Sequence, residues 1–585
     1  MPTRPATLLP AAPALALAAL AAGAGAQPAP LVETVDVELV LVDVLVTDRR
    51  GRPVLDLRRE DFTLFDDGEL VEISQFSPPT ATSARTSEGA PEARPRRESA
   101  APGREDRFVV FLDELHLGPG SRRRVLIQLA ETLGRVPPKA ELLLATFDGA
   151  VRVEVPFTRQ HRRVIRAVEE KIRTPPPRLV EGMAEERMLA LMPFILQTSL
   201  ENLRFVPLDQ RVELACSNDL ASMARQSSEQ IRSRVEAAAG ALNGFVDSLG
   251  GFDGRKVLLH VSDGIPLIAG QVGWEYAIEL CDGSLAAQGA VKDSVPELEV
   301  LPPARMFPSA ARLDMMSYST QSLWDGVTAA ANANRVTFYT LQASGLTTLR
   351  AASVEGARTS MTTDTADRMN QQDVLFAMAD ETGGRATLNT NDFREVVERM
   401  VDDSSLLYEL AFVPRPDATG RPHRLDVEVA RDGIEVRHRK SYRLRSPDAL
   451  AGDRLLTALL HGRTQNPHAA RLIATPSGKR VRKRAEVVIT LLIPFEELTL
   501  LPGEKGLHGQ VSVLLAARDE AGNRTGVGEK SLVLEVDPAD VGEQFEYQVS
   551  MELPVGSTYQ IAAAVRDLVG GESSYLTAAL PSPLE

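Results

Sequence analysis

Residues 107–121 read RFVVFLDELHLGPGS. A run of β-formers ends in the acidic pair Asp113-Glu114, and a Gly-Pro turn then leads into a basic helix. A strand apolar on both faces belongs inside a sheet covered by helices on both sides. Downstream, RKVLLHVSDGIPL (255–267) repeats the pattern and ends in Asp263-Gly264. Acidic residues at the carboxyl ends of parallel strands are where open sheets bind ligands.

Outward from this stretch, strand and helix alternate, the signature of a mainly parallel, doubly wound sheet. SRRRVLIQLAETLGRV (121–136) predicts a helix, AELLLATFD (140–148) and AVRVEVPFT (150–158) two strands, and RQHRRVIRAVEEKIR (159–173) a second helix. A long insertion follows at 173–217, then the helical pattern 221–251, the strand at 256, and a second, irregular insertion at 268–318. The alternation resumes with a helix over 319–335 and a strand over 336–342, and a polar segment covers 343–367. A helix over 371–384, a short strand at 385–390 and a helix over 391–407 lead to closing strands that end at 445.

Flanking regions differ in texture. Residues 31–78 alternate apolar and polar positions with turns at DRRGRP and DDGE, which predicts a small four-stranded β-module. Residues 79–106 are rich in Pro, Ser and charge and read as a disordered linker. After a linker with a helix (446–480), residues 481–585 read as a C-terminal β-sandwich. The three-part architecture is thus a central α/β domain (107–445) flanked by two β-modules.

Composition narrows the function. The 585-residue chain carries 65 basic and 80 acidic side chains, a net charge of −15, which disfavours nucleic acid as a partner. Arg4, an Ala/Leu stretch and AGA before Gln27 predict a signal peptide over 1–26 and an exported protein, periplasmic or extracellular. No later run is apolar enough to span a bilayer. Cys216 and Cys281 are the two cysteines, and in an oxidising compartment they can pair.

The order FLDELHL, TFDGAVRVEVPFT, HVSDGIPL and FAMADETGGRATLNTNDFREVVERM resembles the von Willebrand factor type A domain. The leading segment DRRGRPVLDLRREDFTLFDDG and the closing YELAFVP…HRLDVEVARDGIEVRHRKSYRL resemble the acidobacterial von Willebrand type A-related exported family. That resemblance implies a metal-ion-dependent adhesion site with a divalent cation, magnesium or manganese, held by Asp-x-Ser-x-Ser, a threonine and a later aspartate. Asp113 and Asp263 match the two acidic ligands, but Leu115 and Leu117 stand at the serine positions, and neither Thr174 nor Thr198 can be assigned to the threonine. A modified site could add Glu114, His116 and Asp148, a donor set suited to a softer transition metal. The alternative is that Asp113 caps the following helix and His116 is a loop hydrogen-bonder.

No nucleophile elbow or triad spacing accompanies Ser262 and His260, and His260 reads as a core histidine. The expectation is therefore a non-enzymatic protein-binding or assembly module with a degenerate adhesion site. A metal-free scaffold of the cell envelope is the alternative, and a metal-dependent hydrolase built on Asp113, His116 and Asp263 a third reading.

Overall fold

The computed structural model describes residues 39–79, 106–175, 182–283, 302–346, 359–417, 419–503, 506–520, 522–580 and 584. The leader over 1–26 and nearly all of the 79–106 linker lie outside the described residues.

Four strands come first: β1 (Val40–Asp48), β2 (Phe62–Asp66), β3 (Glu69–Val71) and β4 (Gln75–Ser77). The α/β domain then contributes β5 (Arg107–Asp113), β6 (Glu141–Phe147), β7 (Val151–Thr158), β8 (Lys256–Ser262), β9 (Val336–Gln342) and β10 (Arg385–Thr387). These six form one sheet in the order β10-β9-β8-β5-β6-β7. Every pairing is parallel except β6 with β7, a hairpin that adds an antiparallel edge. The chain leaves β5 toward β6 and later returns to β8 on the other side, so the strand order reverses between β5 and β8. Asp113 and Asp263 stand at that reversal.

Helices cover both faces because β5 is buried along its whole length and alternates its side chains. Phe108, Val110 and Leu112 pack against α1 (Pro119–Thr132), α2 (His161–Arg173) and a late helix at Arg394–Ser405. Val109 and Phe111 pack on the opposite face, against helices described next.

The described residues of both insertions are largely helical, including those of the second, which reads as irregular in the sequence. The first holds α3 (Gly182–Asn202) and α4 (Leu208–Ala215), and α5 (Ala221–Ser248) follows as expected. The second holds α6 (Gln271–Cys281) and α7 (Phe307–Met316). Trp274, Leu196, Val212 and Phe307 are buried together in this layer, where Cys216 is bonded to Cys281 with their Cα atoms 6.2 Å apart. Gly270 and Gly273 around the start of α6, and Pro193 within α3, disguise the helices in the sequence. Then come α8 (Gln321–Ala333), α9 (Met361–Glu381) and α10 (Arg394–Ser405). The α9 helix reaches back into the segment read as polar, capped by Ser360, whose hydroxyl accepts from the Thr363 N–H.

The structure joins what the sequence separates. Strands β11 (Tyr408–Phe412), β12 (Pro422–Val429) and β13 (Ile434–Arg437) pair with the leading strands, β14 (Ser441–Arg443) pairs with β12, and none of the four closes the α/β sheet. Two four-stranded sheets result, β13-β1-β11-β4 and β14-β12-β2-β3, around Val42, Leu64, Tyr408, Phe412 and Leu425. The 31–78 module and the closing strands are therefore one sandwich, into whose chain the α/β domain is inserted.

Within the 446–480 linker, α11 (Pro447–His461) is followed by β15 (Arg471–Val481), so the C-terminal sandwich begins earlier than expected. Pro476 and Gly478 break the alternation there, and the register shifts beyond Pro476. The remaining strands are β16 (Arg484–Pro494), β17 (Leu501–Gly503), β18 (Gly506–Asp519), β19 (Gly528–Val536), β20 (Gln544–Pro554), β21 (Tyr559–Asp567) and β22 (Ser573–Ala579). They form the sheets β15-β16-β20 and β17-β18-β21-β22, with β19 also on β18. The α11 helix lies between this sandwich and α5: Leu455 and Leu459 pack with Leu514 and Ala562, while the Thr457 hydroxyl donates to the Ser248 carbonyl at 2.6 Å.

Candidate functional site

The turns that follow β5 and β8 form the floor of a cavity of about 530 Å³. Its walls include Glu185 from α3, Arg234 from α5, Gln271 from α6, and Asp367 and Gln371 from α9. Residues of both insertions thus border it.

Asp113 ends β5 and is 1% exposed. Its Oδ1 accepts from the His116 N–H at 3.3 Å, and its Oδ2 accepts from His116 Nδ1 at 2.8 Å. The second histidine, His260 on β8, has its Nε2 3.8 Å from the same Oδ2 and stacks on Phe111. Burial pushes the Asp113 carboxyl up, but the His116 charge and hydrogen bonds outweigh it, with His260 adding to them, and the net shift is downward. Burial lowers His260 to about 4, so it is neutral near pH 7. Asp113 is both a cap and half of a buried pair.

Glu114 is buried in the turn after Asp113 and borders the cavity, but its carboxylate is held by Arg122 of α1. Arg122 grips it with Nε on Oε2 and with Nη2 on Oε1 at 3.0 Å. The same guanidinium donates through Nη1 to the carbonyls of Lys171 at 2.9 Å and Thr174 at 3.2 Å. Leu115 and Leu117 seal the loop on opposite sides of the sheet: Leu115 packs with the Phe111 cluster, Leu117 with the Leu112 cluster. Asp148 is tied to Arg152 Nη1 at 2.6 Å across the β6–β7 hairpin. Thr174 and Thr198 spend their hydroxyls on the helix carbonyls of Glu170 and Phe194.

Asp263 borders the cavity, and one of its carboxylate oxygens lacks a partner. Its Oδ2 accepts from the Gly118 N–H at 2.7 Å and the Ser121 hydroxyl at 2.6 Å, while its Oδ1 is buried without a hydrogen-bond partner. Burial raises its carboxyl, and the Ser121 and Gly118 hydrogen bonds only partly pull it back. Gly264 follows at φ +140, a conformation that favours glycine, and a Cβ there would sit 2.9 Å from Gln371. The Gln371 carbonyl accepts from the Ile265 N–H at 3.0 Å, and the Asn370 side chain both accepts from and donates to Ile268. The site loop is therefore stitched to α9. Ser121, Gly118, Asn370 and Gln371 were not foreseen, because nothing in their local sequence announces a contact so distant along the chain.

The expected cation ligands do not fit an octahedral ion. Such an ion needs about six oxygens, waters included. Asp113 is occupied by His116, Glu114 by Arg122 and Asp148 by Arg152, and the serine positions carry hydrocarbon. Among the described residues, Asp113, His116 and Asp263 do not bring three ligand atoms within 4.8 Å of one another; Asp66, Asp67 and His423 do.

No family profile matches the chain, and no curated protein matches it. Among solved structures, the chain is similar to a von Willebrand factor type A protein from Catenulispora acidiphila at 11% identity and a TM-score of 0.18, covering 82% of this chain and 67% of that one. It is also similar to an aerotolerance-related membrane protein from Bacteroides fragilis at 8% identity and a TM-score of 0.21, covering 51% and 98%. Scores this low carry no argument, so the description of the fold rests on its strand order. No described helix is long and apolar enough to cross a membrane.

Proposed function

We propose that this chain is an exported, non-enzymatic protein-binding or assembly module of the von Willebrand type A kind, whose strand-end crevice works without a resident ion. The observation that carries the reading is Asp263: a carboxylate with an unpartnered, buried Oδ1 at the switch point, lining a cavity walled by both insertions. An unsatisfied buried oxygen gains most from a donor, so the partner group is an N–H or ammonium that reaches Oδ1 as the loop covering it shifts on binding. The engagement of Asp113, Glu114 and Asp148 in internal ties supports metal independence. It also supports the second reading, a metal-free envelope scaffold that acts through its β-sandwiches.

Capture of partners from the envelope fraction of the source organism separates the two. The wild type is compared with Asp263→Ala and with Gln371→Arg, which fills the cavity, each in EDTA and in Mg²⁺ or Mn²⁺. The binding reading expects a partner held in EDTA and lost from both variants. Capture unaffected by either substitution refutes the crevice as the contact and leaves the scaffold. Capture that requires Mg²⁺ or Mn²⁺ refutes metal independence.

A further inference from the structure

Away from the crevice, the β2–β3 turn and the start of β12 bring two carboxylates and an imidazole together. Asp66, Asp67 and His423 each offer one ligand atom within 4.8 Å of the others. Asp66 is 3% exposed; its Oδ2 accepts from the Tyr442 hydroxyl at 3.1 Å, but its Oδ1 is buried without a hydrogen-bond partner. That orphaned oxygen lies 3.8 Å from His423 Nδ1. A buried carboxylate oxygen with no donor is costly and calls for a missing partner.

The imidazole is held for the purpose. His423 is buried, its ring stacked on Tyr442 with centroids 5.0 Å apart. Its Nε2 faces Asp417 Oδ2 at 3.0 Å, leaving Nδ1 turned toward both remaining carboxylates. A carboxylate behind the far nitrogen is how metal-bound histidines are oriented. Nδ1 lies 3.0 Å from Asp67 Oδ2, which also accepts from Arg421 Nη2 at 2.7 Å, while Asp67 Oδ1 accepts from the Arg424 N–H at 2.9 Å. Asp67 adopts φ +50 and Gly68 φ +82, so the turn aims consecutive carboxylates at one ring.

We propose that Asp66 Oδ1, Asp67 Oδ2 and His423 Nδ1 form a site for one divalent transition metal of the zinc type, with Asp417 as its supporting carboxylate. Bonds of about 2.0–2.1 Å in tetrahedral geometry place ligand atoms roughly 3.3 Å apart. The observed separations of 3.0 and 3.8 Å bracket that value. The imidazole nitrogen favours a transition metal over Mg²⁺ or Ca²⁺, and water fills the fourth position.

The test uses the full chain, stripped with EDTA and dialysed against ZnCl₂, with bound zinc counted and melting followed. The expected result is one zinc per wild-type chain and a raised Tm, because an ion that binds only the folded state stabilises it. Asp66→Asn and His423→Gln lose the zinc, and Asp417→Asn weakens it about 10–100-fold. If Asp66→Asn fails to fold, Asp67→Asn at the surface turn gives the same readout. No bound zinc in the wild type, or zinc retained by these variants and lost from Asp263→Asn, overturns the proposal.

Discussion

Replacing Arg122 by methionine is the sharpest test of the site loop. The Glu114 and Arg122 side chains are 3% and 6% exposed, so neither charge is screened by water. Removing one partner of such a pair leaves an uncompensated buried charge, at a cost of about 3–5 kcal/mol. The Lys171 and Thr174 carbonyls also lose their donor, each worth about 1 kcal/mol. Arg122→Met should therefore destabilise the α/β domain by about 3–5 kcal/mol or slightly more. Pairing it with Glu114→Leu removes both charges and should recover most of that loss, a coupling of about 2 kcal/mol or more. The assay is urea unfolding followed by tryptophan fluorescence, which isolates this domain because the chain's two tryptophans, Trp274 and Trp324, are both buried within it. A single-variant loss below about 1 kcal/mol, or a double variant as unstable as Arg122→Met, would refute the reasoning.

Acid should weaken the fold through buried neutral histidines. Burial lowers His461 to about 3, against roughly 6.5 when unfolded, so its contribution is intact above pH 6.5 and is lost as the pH falls. The loss reaches about 2–3 kcal/mol near pH 4.5, and His461→Gln should flatten that limb of a stability–pH profile; an unchanged slope contradicts the assignment. The Cys216–Cys281 bond closes a separation of 65 residues, worth about 4 kcal/mol as lost chain entropy. Changing both cysteines to serine should lower the denaturation midpoint accordingly, and an unmoved midpoint counts against it. Gly384→Ala would place a Cβ 1.8 Å from the Phe338 carbonyl oxygen, forcing β9 and β10 apart. A loss above about 2 kcal/mol is expected by thermal melting followed by circular dichroism.

Much of the central sheet was legible because β5 and β8 are apolar on both faces, a pattern that signals burial between helix layers. The two β-runs at 140–148 and 150–158 were also visible as strands. The partnership of β1 with β11 and of β2 with β12 was not, because strand pairing across hundreds of residues leaves no mark on local periodicity. The site was legible only in part. Asp113 and Asp263 stand at the strand ends, yet Glu114 could not be read as the partner of Arg122, since the turn after β5 rather than the strand pleat sets its direction. Asp66 and Asp67 looked like ordinary turn residues, because His423 meets them from a strand more than three hundred residues away.

The insertion of one domain within another has a consequence for biosynthesis. Val44 has its place opposite Tyr408 and Leu64 opposite Val427, so β1 and β2 wait for β11 and β12 until the entire intervening domain has been made. Chains emerge at about 5–20 residues per second, which makes that wait tens of seconds. During it, the nascent β1 and β2 edges are open to neighbouring chains. The α/β domain can fold in that interval and bring its two ends together, shortening the loop that the sandwich must close. A mutation that slows the inserted domain should therefore appear first as aggregation through the strands of the other.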